Sequence, residues 1–262
     1  EKFWLCACWF KAAGDYLNRV LSPFNKCLKI AHMNVESVIA HIDELREVVK
    51  YFDIVAMSET FLKPQIRDAS IMFENYVWVR NDRTGMGRGG VALLVSNKLK
   101  IKELARSPSE YSKSPEFVFL EVNCSGKKSV IGVVYRPPKI GKIHEVFEAV
   151  SKILANNDEV IMLGDFNSDM KSNSVYKKQL QCLIDDHHFN LLPMSETFHT
   201  PTSSSFIDLI LVNNINSVVK FGQCSVPGIS RHDLVFCVVS HRTPRYDEPE
   251  KIVRNKRAFV RE

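Results

Sequence analysis

Asp165 and Asn167 sit one residue apart at the end of the apolar run VIMLGDFN, residues 160–167. An anionic acceptor and a neutral donor/acceptor so placed can converge on one small target, and a water molecule attacking a phosphate is such a target. The competing reading is an Asx turn closing a strand; on this stretch alone the two stand even. Polar residues recur at the ends of other predicted strands: Asn34, Glu59, Tyr135, Asp208 and His232. Singly, each reads as a turn former, a half-buried aromatic or a satisfied core histidine. Their joint recurrence points to strand ends gathered on one rim. Ser230, His232 and Asp233 have the residue types of a serine hydrolase, but three such close neighbours cannot converge and no GxSxG elbow occurs. Gly85, Gly87, Gly89 and Gly90 are followed by no lysine-serine pair and read as a mobile surface turn. His187 and His188 lack metal-ligand company and read as solvent-facing helix residues.

Those tips need strands to carry them. Residues 160–163 form a continuous apolar run, as expected of a strand covered on both faces, and Gly164 is expected to let the chain turn close to a ligand. Residues 28–33 predict a first strand ending at Asn34, and Val38, Ile42, Leu45 and Val49 then repeat as an amphipathic helix. Further strands are predicted at 54–57, 76–79, 91–95, 117–122, 130–134, 207–212 and 234–239. Pro137 and Pro138 stop the ladder after Tyr135. Helices are predicted over 143–154 and 181–188. Many short strands with few helices favour an α/β sandwich of two sheets over one doubly wound sheet.

A chain of 262 residues with 45% hydrophobic content buries one large core and demands no second domain. The net charge of +5 and pI near 8.8 favour a polyanionic partner only mildly, because Lys and Arg are spread along the chain. The seven cysteines include no paired CxxC spacing and read as reduced, mostly buried thiols of a nuclear or cytosolic protein. The apolar stretch FWLCACWF, residues 3–10, is too short to span a bilayer. Residues 1–27 therefore read as an extension that packs on the domain or is disordered, 28–240 as the folded domain, and 241–262, rich in charge and proline, as a linker or tail.

Seven ordered segments carry a resemblance: HMNVES (32–37), DIVAMSET (53–60), RNDRTGMGRGGVALLV (80–95), VYRPP (134–138), GDFN, FIDLIL (206–211) and SRHDLV (230–235). Over residues 28–240 the chain resembles the endonuclease/exonuclease/phosphatase superfamily. It most resembles the apurinic-like endonuclease domain of LINE-type, non-LTR retrotransposons, a tilt that comes from RxDR followed by GGVA and from IDLIL with its neighbouring serines. The resemblance implies a four-layered sandwich of two mixed β-sheets flanked by helices. It implies that Glu59 holds a catalytic divalent metal, Mg2+ with Mn2+ as the alternative, with Asn34 beside it and Glu36 as a secondary ligand. Asp165 would orient or deprotonate the attacking water, Asn167 would position it, and Asp208 would fix His232 for donation to the phosphate. Tyr135 would contact the phosphate or the leaving oxygen. Thr200, with Thr197 and Thr202 as competing placements, Ser230 and Arg231 are the expected DNA contacts.

Arg231 departs from the superfamily's pattern, which has Asp before the final histidine. A cation there is expected to repel magnesium, to pair with Glu59 or Asp208, or to face a DNA phosphate. The leading expectation is an endonuclease that nicks one strand of double-stranded DNA and leaves a 3′ hydroxyl to prime reverse transcription. No aromatic-x-Asp-Asp strand occurs, so the reverse transcriptase is expected in the rest of a longer polyprotein, made in the cytoplasm and acting in the nucleus. The alternatives are an apurinic-site or other phosphodiesterase, and a copy that binds DNA or protein without cutting.

Overall fold

The computed structural model describes residues 2–85, 87–111 and 113–244, with side chains from Lys11 onward. In chain order the elements are α1 (Lys2–Leu21), β1 (Cys27–Asn34), α2 (Ile42–Val49), β2 (Ile54–Ser58), β3 (Tyr76–Asn81), β4 (Val91–Ser96), β5 (Lys100–Arg106), β6 (Glu116–Cys124), β7 (Lys127–Tyr135), α3 (His144–Leu154), β8 (Val160–Asp165), α4 (Val175–Asp186), β9 (Asn190–Leu191), β10 (Phe198–His199), β11 (Ser204–Ser205), β12 (Asp208–Val212), β13 (Val218–Cys224) and β14 (Leu234–Arg242).

Two six-stranded sheets form, in the orders β13-β14-β1-β2-β4-β3 and β5-β6-β7-β8-β12-β9. Both are mixed, since β1 runs parallel to β2 and β7 parallel to β8 while the other pairings are antiparallel. The sandwich expected from the sequence is the one observed, and side-chain alternation explains it. Leu28, Ile30, Ile54, Ala56, Leu93 and Val235 of the first sheet face Val118, Leu120, Ile131, Val133, Ile161 and Ile210 of the second, forming the central core. The alternate residues Ala31, Met33, Val55, Met57 and Phe236 pack on Leu17 and Leu21 of α1 and Leu45, Val48 and Val49 of α2. On the outer side of the second sheet, Phe119, Val134, Val160, Met162 and Leu209 pack on Val146, Phe147, Val150 and Ile153 of α3 and Leu180 and Ile184 of α4. Helix, sheet, sheet and helix make four layers.

Several boundaries differ from the sequence expectations. Of the two readings of the N-terminal extension, packing and disorder, residues 11–21 follow the first: they are helical and pack on the domain, with Leu17 and Leu21 buried. The final strand runs on to Arg242, and the expected tail from 245 onward lies outside the described residues. Helix α4 begins at Val175, capped by Ser174, whose hydroxyl accepts from the Lys177 amide at 3.2 Å. His188 is exposed as expected, whereas His187 is half-buried: it sits 5.1 Å from the Phe147 ring and hydrogen-bonds Ser151 Oγ at 2.8 Å, joining α4 to α3. Among the cysteines whose side chains are described, Cys124 and Cys237 are buried, Cys27 and Cys224 half-buried and Cys182 exposed, all as free thiols; the side chains of Cys6 and Cys8 lie outside the described residues. Among the described residues no helix is long and apolar enough to cross a membrane.

Candidate active site

The pairing registers gather the polar tips. In the first sheet Asn34 lies opposite Ser58, so the parallel strands β1 and β2 end together and Glu59 follows at once. In the second sheet Tyr135 of β7 pairs with Asp165 of β8, and Asp165 pairs with Asp208 of β12, a straight row across three strands. His232 stands two residues before β14. Both parallel pairs therefore deliver their carboxyl ends to one rim, the place where open α/β sheets present side chains to ligands.

One amide ties the two halves together. Asn34 Nδ2 donates to Glu59 Oε1 at 3.0 Å and to Asp165 Oδ2 at 3.0 Å, across 131 residues of chain. Tyr135 Oη donates to the same Glu59 oxygen at 3.1 Å. The Asn167 amide N–H reaches Asp165 Oδ1 at 2.9 Å, and its side-chain Nδ2 donates to Asp165 Oδ2 at 3.2 Å and to the Arg136 carbonyl at 2.9 Å. His232 Nδ1 lies 2.9 Å from Asp208 Oδ2, which also accepts from Thr197 Oγ1 at 2.8 Å. Glu36, Glu59, Asp165, Asn167, Arg231 and His232 all line one cleft of about 360 Å³. Glu36, Glu59 and Asn167 hold left-handed backbone at φ 42°, 51° and 44°, a conformation that concentrates at functional sites because the surroundings must enforce it.

Burial and charge tune these groups. Asp165 is 1% exposed, and burial followed by the charge of Asp208 pushes its pKa up to about 7. Burial opposes the charged form of His232, but the Asp208 charge and hydrogen bond outweigh it and raise the pKa to about 9. Burial also lifts the Tyr135 phenol well above its ordinary range, with the charges of Glu59 and Asp165 adding to it, so Tyr135 stays a hydrogen-bond donor.

The donor set fits a hard divalent cation. Asn34 and Glu59 offer an amide and a carboxylate oxygen at the cleft, with Glu36 on its wall, and among the described residues Glu59 Oε2 takes no hydrogen bond. Asp165, Asp208 and His232 also offer ligand atoms within 4.8 Å of one another. Two of that trio already bond each other, which suits proton handling better than ligation.

Three expectations are corrected. Arg231 pairs with neither Glu59 nor Asp208; its Nη2 lies 3.4 Å from Glu36 Oε1, and its guanidinium stacks 5.2 Å from the Phe198 ring. Thr200 does not reach the site, because its hydroxyl closes the turn onto the Ser203 carbonyl at 3.1 Å, and Thr197 is the threonine that meets Asp208. Gly164 is small for its neighbouring strand and for no ligand: a Cβ there would fall 1.8 Å from the Val134 carbonyl oxygen. Ser230 orders the approach to His232, whose amide N–H donates to its Oγ at 2.9 Å.

Several supporting residues escaped sequence reasoning. Buried Arg136 donates to the carbonyls of Phe166, Ile140 and Asn167 and to Ser168 Oγ at 2.9 Å, holding the GDFN turn in place. Arg83 of the RxDR segment pairs with buried Glu116, which accepts the Gly90 amide at 2.6 Å. Far from forming a mobile turn, Gly89 and Gly90 are buried here: a Cβ at Gly89 would strike the Arg83 guanidinium at 2.2 Å. Gly85 and Gly87 are exposed.

The sequence matches the endonuclease/exonuclease/phosphatase family over residues 31–232, and the chain belongs to that family of metal-dependent hydrolases. Solved structures agree on the fold. The endonuclease domain of TRAS1, a telomere-specific non-LTR retrotransposon, is similar at TM-score 0.65 and 13% identity, covering 81% of this chain and 98% of that one. AP endonuclease LMAP from Leishmania major is similar at TM-score 0.60 and 14% identity, covering 85% and 90%. A 3′ phosphatase, NExo, from Neisseria, bound to a product DNA hairpin, is similar at TM-score 0.60 and 17% identity, covering 81% and 99%. No curated protein sequence matches the chain.

Proposed function

We propose that this protein is a magnesium-dependent endonuclease that nicks one strand of double-stranded DNA and leaves a 3′ hydroxyl, as the target-site nuclease of a non-LTR retrotransposon. The observation that carries the reading is the Asn34 amide held between Glu59 and Asp165, which couples a cation-binding carboxylate to a base across the two sheets. Glu59 and Asn34, with Glu36 near, would hold the ion; bound there, it would polarise the phosphate and neutralise charge on it. Asp165 accepts the proton of the attacking water, and its pKa near neutrality suits a general base. Asn167 directs that water. His232, held protonated by Asp208, donates toward the phosphate, and the Tyr135 hydroxyl faces the same space. The likeness to the TRAS1 domain supports the retrotransposon assignment. With it go a reverse transcriptase in the same polyprotein as partner, synthesis in the cytoplasm and action in the nucleus.

A second reading, a weakened copy or one acting on apurinic sites or other phosphodiesters, draws on Arg231, which sets a positive charge 3.4 Å from Glu36 at the cleft wall. Supercoiled-plasmid nicking with Mg2+, Mn2+ or chelator, run beside an abasic duplex, separates these. Nicking of intact plasmid that chelator stops, and that falls about 100-fold or more in Asp165→Ala and in His232→Ala, is the expected result. Parent-level nicking in either variant removes that residue from the mechanism, and cleavage of the abasic duplex alone replaces the substrate.

A further inference from the structure

His32 is a buried titratable group that the chemistry above leaves unused. It lies on the face of β1 that looks between the sheets, where Leu28 and Ile30 join the central core and Asn34 reaches the rim. A hydrophobe would suit this fully buried position on packing grounds alone. Instead, Nε2 lies 3.1 Å from Ser58 Oγ and Nδ1 lies 3.7 Å from Asp208 Oδ1. Among the described residues, His32 Nδ1 and Asp208 Oδ1 have no hydrogen-bond partner, whereas Asp208 Oδ2 has both His232 and Thr197.

The two unpaired atoms therefore face each other, one belonging to a carboxylate that needs a donor. A buried carboxylate oxygen left unsatisfied carries a desolvation cost that an imidazole N–H relieves. For a neutral ring one arrangement of protons satisfies every group: Ser58 donates to Nε2, and the ring carries its hydrogen on Nδ1, aimed at Asp208. The other tautomer would turn a lone pair on the carboxylate.

We propose that His32 is a positioning residue of this site: as a neutral imidazole it presents Nδ1–H to Asp208 Oδ1 and fixes, from the first sheet, the carboxylate that orients His232. The inference rests on the nuclease reading. His32 touches no substrate and acts through the residues it holds, Asp208 above all. Its other neighbour, Ser58, directly precedes Glu59, so one ring braces both the metal-binding side and the acid side of the cleft.

The test exploits geometry, since an asparagine amide nitrogen falls near the histidine Nδ1 position and a glutamine amide near Nε2. Plasmid nicking would be measured as kcat and KM, with thermal unfolding alongside, for the parent, Asp208→Asn, His32→Asn, His32→Gln and His32→Leu. His32→Gln and His32→Leu are expected to lose about 10- to 100-fold in kcat with KM unchanged, and His32→Asn to keep most of the parent's kcat. Parent-level kcat in His32→Leu, or a loss in His32→Asn equal to that in His32→Leu, overturns the inference while leaving the nuclease reading intact. A parent that shows no chelator-sensitive nicking removes the nuclease reading itself, and the inference with it; parent-level kcat in Asp208→Asn removes Asp208 from the mechanism and overturns the inference alone. Independently of activity and of variant folding, long-range 1H–15N correlation spectra of the labelled parent report the ring tautomer: Nδ1–H is expected, and Nε2–H refutes the proposal.

Discussion

Two buried histidine–carboxylate clusters stand at opposite ends of the sandwich, on the same strands. At the cleft end Asp208 meets His232, in a row with Tyr135 of β7 and Asp165 of β8. At the other end Ser129 of β7, Glu159 just before β8 and His241 of β14 form a closed triangle. His241 Nε2 lies 2.7 Å from Glu159 Oε2, and Ser129 Oγ lies 2.8 Å from that same oxygen and 2.9 Å from His241 Nδ1. Serine, histidine and glutamate are the residue types of a hydrolase, yet all three are sealed, Ser129 at 2% and His241 at 2% exposed. Asp165 is buried as deeply, but it and His232 line the cleft, and that opening, not residue type or depth of burial, separates a site from a structural clamp. Electrostatics separates them too. Burial works against the charged form, but the nearby His241, Ser217 and Ser129 side chains outweigh it and hold the Glu159 carboxyl down to about 2, so that cluster stabilises the fold. Asp165 is pushed the other way, and its ionised form is held at a cost to stability, as expected where function sets the environment.

The largest test of this division is Glu159→Ala. Breaking the buried pair is expected to cost about 3–5 kcal/mol in urea unfolding, while the surviving folded protein nicks at the parent's rate. Loss of nicking by folded protein would erase the distinction between the ends. Magnesium comes next: at roughly 100 times its dissociation constant it should stabilise the parent by about 2.7 kcal/mol, visible as a rise in Tm. Glu59→Gln should lose that rise and Glu159→Gln keep it. Acid sharpens the contrast. Because the folded pKa of Glu159 lies near 2 and below its ordinary 4.5, its contribution is present in full above pH 4.5 and is lost as pH falls toward 2. Glu159→Gln should flatten the stability-against-pH curve in that window; an unchanged curve would show that another group sets the acid limb. The smallest effect is expected at Arg231, whose side chain is 62% exposed and only loosely paired with Glu36. Arg231→Asp should raise magnesium affinity a few-fold and alter stability by no more than about 1 kcal/mol; unaltered metal dependence would mean that the arginine does not oppose the ion.

The central strands were legible because both faces are buried, which leaves apolar runs such as residues 91–95 and 160–163. The edge strands β5 and β13 were missed for the converse reason. KIKELAR and VVKFGQC mix half-buried and exposed residues with no clean alternation and no fully buried position, too weak a pattern to separate from loop. Asn34, Glu59, Asp165 and His232 were readable as polar punctuation at strand ends, and the family resemblance supplied their roles. Thr197 was readable only as one of three competing placements, and Arg136 and His32 not at all, because their partners lie far along the chain or are backbone carbonyls. Asp208 lies 24 residues from His232 and 176 from His32 by number, and no local spacing encodes contacts of that kind.

The reach of the Asn34 carboxamide fixes how far the two layers can separate before the cleft ceases to be a single machine. A compound wedged between the sheets anywhere along that seam would not need to resemble a nucleotide; parting the halves by about an ångström would silence the chemistry from a distance.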